Sequence, residues 1–248
     1  MNQENYSDYE IIDGYSGAEQ KVDVSAFMSK VFGYMFIALL ISGVVAYVFG
    51  TSDELFSLLI TYSPTGGVSR TLLGWIVMLS PLALVILMSA RLNKMSSNGL
   101  LLTFIAFSIF FGASTSYIFR FYSDAHLFQT FFISAATFGI MALVGYRTST
   151  DLSKMGSILY MALIGLVIAM VVNWFMQSAA MAYVISGIGV LIFTGLAAYD
   201  TQKLKHMALT MGTQSEMAQK MIIMGALTLY LDFVNLFLFM LQFMGGKD

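Results

Sequence analysis

Seven stretches of about 20 apolar residues, the length a helix needs to cross a hydrocarbon core of about 30 Å, constrain this chain more than any other feature. They cover residues 30–50, 71–90, 100–119, 127–146, 156–176, 179–199 and 221–244. The runs are continuous and rich in Leu, Ile, Met and Phe, whereas a membrane β-barrel needs strands of about ten residues with alternating polarity. Helices are therefore the expected spanning elements. With 58% hydrophobic and 10% charged residues, and a mean hydropathy of +0.79, the chain has too little polar surface to coat a soluble globule. The expected fold class is all-α, a polytopic membrane protein of seven transmembrane helices. Only "QSA" separates the fifth and sixth spans, so they must form a tight helical hairpin.

Residues 1–29 read as a flexible, acidic cytoplasmic tail without the apolar core of a cleavable signal peptide. Tyr6, Tyr9 and Tyr15 fall in it and read as part of a solvated segment. Residues 30–244 form one transmembrane domain, and residues 245–248 a short C-terminal tail. "SPTGGVS" reads as a turn in an outer loop, because Pro64, Gly66 and Gly67 break regular structure. The longest inner connection runs from Thr201 to Lys220. Basic residues are retained on the cytoplasmic side, and placing the N terminus inside puts nine of the twelve Lys and Arg there. Only Arg70, Arg120 and Lys247 remain outside. The chain has no cysteine, which excludes disulfides, thiolate metal sites and cysteine nucleophiles.

Two acids accompany the apolar runs. Asp232 lies deep inside "LTLYLDFVNLFLFML", and Asp200 closes "LAAYD" at the end of the sixth run. A carboxylate in a span costs on the order of 3 kcal/mol to insert and tends to face the bundle interior. Asp232 shares a helix face with Gly225, Thr228, Asn235 and Gln242, which recur at three-, four-, three- and seven-residue steps. Such a stripe can line an ion pathway, or it can join helices by hydrogen bonds. Asp200 and Asp232 sit on consecutive antiparallel helices and can meet across their interface. Counting alone opposes this, because Asp232 is about 17 Å inside its run and Asp200 is at an edge. If they meet, two close carboxylates share a proton and form a pH sensor. Deprotonated, they offer oxygens to a hard cation such as Ca²⁺. Arg91, at the inner end of the second span, is a candidate counter-charge, or an ordinary interfacial anchor.

"TGLAAYDTQKLK" followed by "GALTLYLDFVNLFLFML", together with "VGYRTSTDLSKMGSILYMALIGLVIA" upstream, closely resembles the transmembrane Bax inhibitor motif family, particularly its bacterial branch. The resemblance runs over residues 30–243 and leaves out the acidic tail. It implies seven helices with the last central to the bundle, and a pH-sensitive Ca²⁺ leak gated by paired aspartates matching Asp200 and Asp232. Arg91 would correspond to an arginine that latches to the first of these acids. The bacterial branch implies the inner membrane as the location. The family also implies a competing role, because eukaryotic relatives suppress cell death and some bacterial relatives bind a membrane protease.

Enzymatic readings fit less well. Tyr199 and Asp200 match the Tyr-Asp dipeptide of intramembrane aspartyl proteases, but those enzymes require Gly-x-Gly-Asp where this chain has "LYLD". They also need Pro-Ala-Leu where it has "SPLAL". His126 and His206 fall in loops on opposite sides and cannot share a metal. The glycines form no phosphate loop, and no basic patch suits nucleic acid. The expected partners are the lipid bilayer, Ca²⁺ as a transported or bound ion, and a membrane protease or other membrane protein. No cofactor and no catalytic residue are expected.

Overall fold

The computed structural model describes residues 23–62, 68–210 and 216–245. Most of the acidic tail, residues 63–67 of the expected turn, residues 211–215 of the expected inner connection and the end of the C-terminal tail lie outside the described residues. The chain runs α1 (Val24–Thr51), α2 (Asp53–Leu59), β1 (Ile60–Tyr62), β2 (Val68–Arg70), α3 (Leu72–Ala90), α4 (Ser97–Thr115) and α5 (Ile118–Phe121). It continues through α6 (Asp124–Arg147), α7 (Ser153–Met176), α8 (Ala179–Thr210) and α9 (Glu216–Met244). Seven helical segments are long and apolar enough to cross a membrane, with α4 and α5 together making the third. The all-α, seven-span organisation expected from the sequence is what the structure shows. The strands form a small antiparallel hairpin pairing Ile60 with Arg70 and Tyr62 with Val68.

Polar caps set the helix starts. Asp23 accepts from the amides of Ser25 and Ala26, so α1 begins at Val24 rather than at Lys30 and buries Phe27 and Met28. Thr71 and Ser96 cap α3 and α4 through the amides of Gly74 and Gly99. Between α7 and α8 the turn is as short as expected. Gln177 takes a left-handed conformation with φ 50°, and its amide donates to the Asn173 carbonyl at 2.7 Å. The Asn173 side chain then accepts from the amide of Ser178.

Helix α9 is the axis of the bundle. Of its apolar window 67% is buried, against 39% or less for every other span. It packs chiefly against α1, α4, α6 and α8, while α3 leans on α4 and α7 on α8. Small residues allow the closest approaches. The α-carbon of Gly145 on α6 faces the backbone of Ala198 on α8, and Gly112 on α4 faces the backbone of Ser42 on α1, where a Cβ would collide. Ser42 Oγ lies 2.6 Å from Tyr230 Oη and 2.8 Å from the Ser108 carbonyl, tying α1, α4 and α9 together. Phe104, Phe107 and Phe111 surround the Tyr230 ring edge-on.

Candidate functional site

The depth mismatch between the two acids disappears because both helices outrun their apolar cores. α8 stays helical through Lys203, Lys205 and His206 to Thr210, and α9 begins at Glu216, well before its apolar run. Asp200 thus lies about 15 Å inside the end of α8 and meets Asp232. Asp200 is 2% exposed and Asp232 5%, and their carboxyl groups are within hydrogen-bonding reach of each other.

A third group completes the cluster. Tyr160 on α7 donates its hydroxyl to Oδ1 and Oδ2 of Asp200, 3.2 Å from each. Sequence reasoning missed this residue, since a tyrosine in a membrane span reads as an amphipathic interface residue. Asp232 Oδ2, in contrast, is buried with no hydrogen-bond partner among the described residues. The cationic group acting on both carboxyls is Lys203, one turn along α8 from Asp200, with its Nζ 5.9 Å from the centre of the Tyr199 ring.

The pair borders a cavity of about 390 Å³ between α7, α8 and α9. Tyr160, Asp200, Thr228, Asp232 and Asn235 supply its polar lining, and Met170, Phe193 and Phe239 are among its apolar wall. Tyr160, Asp200 and Thr228 are the lining residues nearest the start of α7, the end of α8 and the start of α9, so they form the floor at that end. Thr228 donates to the Met224 carbonyl at 3.1 Å and Asn235 to the Leu231 carbonyl at 2.8 Å. The one hydroxyl hydrogen of Thr228 is thereby engaged and its oxygen remains an acceptor, while Asn235 keeps its amide oxygen and a second N–H. Below the floor, Leu204 packs against Gly225.

The other stripe and latch residues stand elsewhere. Gly225 is buried but serves close packing, and Gln242 is exposed near the end of α9. Arg91 ends α3 with its side chain exposed, and among the described residues it forms no ion pair. α3 packs on α4 and α2 rather than on α8, so Arg91 and Asp200 are not brought together.

Ca²⁺ takes six to eight oxygens. Two carboxylates supply at most four, and among the described residues no group of three or more acidic, His or Cys side chains gathers. The neutral oxygens of Thr228, Asn235 and water would have to complete the shell, an arrangement suited to a passing ion rather than a tightly held one.

Similarity to known proteins extends over nearly the whole described chain. The family described as "Inhibitor of apoptosis-promoting Bax1" matches residues 24–248. The inner membrane protein YbhL of Escherichia coli is 40% identical over 231 residues, covering 92% of this chain and 95% of that protein. A Borreliella burgdorferi protein is 40% identical over 221 residues, covering 89% of this chain and 92% of the relative. A membrane protein of Streptococcus pyogenes is 32% identical over 232 residues, covering 93% and 96%. The buried acids, the central last helix and this likeness converge: the chain is an integral membrane protein belonging to the Bax inhibitor family.

Proposed function

We propose that this protein is a pH-sensitive calcium leak channel of the bacterial inner membrane, with its N terminus in the cytoplasm. The observation that carries the reading is the meeting of two buried carboxyls, Asp200 and Asp232, at the floor of a cavity lined by acceptor oxygens. Two carboxyl groups this close repel each other when both are ionised, so the site exchanges a proton for cation-binding charge. A doubly deprotonated pair attracts Ca²⁺, and a proton on the pair weakens that attraction. The inner exit is closed by Leu204 against Gly225, which makes those residues the constriction an ion must pass. An Arg91–Asp200 latch would belong to another conformation, in which the inner end of α3 has moved toward α8.

Basic side chains gathered at one end of the bundle support the orientation. Lys205 donates to the carbonyl of Tyr146 next to Arg147, and Lys220 pairs with Glu216, whose carboxylate accepts from the Ser97 amide. Retention of positive charge on the cytoplasmic side supports that end as the inner one, and the likeness to the inner membrane protein YbhL supports the inner membrane as the location.

The test is Ca²⁺ entry into sealed proteoliposomes at pH 6 and pH 8. Wild type leaks in a pH-dependent manner, and Asp232→Asn loses that dependence. No leak above empty liposomes would overturn the channel reading and favour an interaction role, such as modulation of a membrane protease. That role predicts partner co-purification that survives Asp200→Asn and Asp232→Asn.

A further inference from the structure

We propose that Tyr160 is a positioning residue of the aspartate pair: its hydroxyl directs the negative charge to Asp200 and leaves the shared proton on Asp232, so that it tunes the pH response of the site. The proposal rests on the aspartate-sensor reading above and deepens it.

The hydrogen-bonding of the two acids is unequal. Asp200 receives the Tyr160 hydroxyl at both oxygens, 3.2 Å each, and a donor aimed at a carboxylate favours its charged form. Asp232 has a buried Oδ2 without a hydrogen-bond partner among the described residues. An orphan oxygen on an ionised carboxylate is far more costly than one on a neutral acid. A neutral Asp232 carries its proton on the oxygen that faces Asp200 and leaves the orphan Oδ2 an uncharged carbonyl oxygen.

Local packing holds the phenol in place. Gly156 on α7 leaves room for the Tyr199 ring, which any Cβ at 156 would strike. That ring meets Tyr160 edge to face, centroids 6.0 Å apart. Only 11% of the apolar window of α7 is buried, the least of any span, and α7 packs chiefly on α8. The Tyr160–Asp200 contact therefore links the most peripheral helix to the central acids.

The groups facing Asp200 are Tyr160 from α7, Asp232 from α9, and Tyr199 and Lys203 from α8 itself. α1 and α6 also pack on α8; their titratable groups toward the same end are Lys30 and Tyr34 on α1 and Tyr146 and Arg147 on α6, and among the described residues the side-chain hydroxyl bonded to Asp200 is that of Tyr160.

Tyr160→Phe keeps the ring and removes only the donor. In the proteoliposome assay its pH midpoint should move to higher pH by about one unit, the size of one hydrogen bond to a charged group. An unchanged midpoint in a pH-dependent channel overturns the role of Tyr160 while leaving the leak intact. Failure of wild type to leak overturns the channel reading alone, because infrared titration of the protonated carboxyl band in detergent reads the pair directly. That band should vanish in Asp232→Asn, persist in Asp200→Asn and titrate at higher pH in Tyr160→Phe. Loss of the band in Asp200→Asn rather than Asp232→Asn overturns the assignment, and this comparison does not require the Tyr160 variant to fold.

Discussion

Leu204 of α8 occupies the space that a side chain at residue 225 of α9 would need: a Cβ there would lie 2.6 Å from Leu204 Cδ2. Leu204 is buried and stands one turn inward of Asp200. The contact therefore lies between the polar floor of the cavity and the basic end of the bundle. On the proposed channel reading this contact is the constriction, and Leu204→Ala would open it, with Ca²⁺ entry into proteoliposomes rising several-fold over wild type. The increase should persist in the Leu204→Ala/Asp232→Asn double variant, because a steric plug acts independently of the carboxyl charge. Unchanged flux in a folded variant would place the constriction elsewhere.

Gly145 should tolerate no side chain. Its α-carbon faces the Ala198 backbone, and backbone cannot move aside as a rotamer can. Gly145→Ala would separate α6 from α8 and destabilise the fold by about 1–3 kcal/mol, read from unfolding in detergent. Gly165 has open space where its Cβ would stand, so Gly165→Ala serves as the control and should leave stability within about 0.5 kcal/mol of wild type.

Two carbonyls beside Ser42, which can only accept, set the expected direction of its hydrogen-bond chain. One serine hydroxyl carries one hydrogen, and Ser42 Oγ faces the carbonyls of Ala38 at 3.0 Å and Ser108 at 2.8 Å as well as Tyr230 Oη. Ser42 donates to a carbonyl and accepts from Tyr230. Tyr230→Phe should then cost about 0.5–1.5 kcal/mol. Ser42→Ala should cost about 1–3 kcal/mol, because it strands a buried phenol. A double-mutant cycle checks the order, and equal single costs would contradict the claim that Ser42 is the one partner of the phenol.

Asp151 gives the first turn of α7 a pH dependence. Its carboxylate accepts from Ser153, 2.9 Å from the amide nitrogen. The Ser153 side chain and amide, with smaller help from His206 and Lys154, hold the acid below the ordinary aspartate range. A carboxyl whose folded value is lowered stabilises above its unfolded value, about pH 4, and loses that contribution as pH falls through the folded value. Amide exchange over residues 153–156 should thus be slow and constant at neutral pH. Corrected for intrinsic exchange, it should quicken below about pH 4, and Asp151→Ala should abolish this acid-dependent change.

The sequence alone determined the helices, because crossing hydrocarbon demands about 20 apolar residues with every backbone group paired inside the segment. It also exposed Asp200 and Asp232, since a carboxylate beside lipid-facing residues violates the pattern of the run. Its limits appear at Gln242, which lies about 80° around the helix from Asp232 at 100° per residue and falls where α9 leaves the bundle. They appear again where Lys203, Lys205 and His206 extend α8 beyond its apolar core and carry Asp200 to the depth of Asp232. Tyr160 is separated from Asp200 by 40 residues, and Leu204 meets Gly225 from another helix. No period within one segment encodes such meetings. Helix packing decided them, through the small residues that let backbones approach and the rings that fill the remaining space.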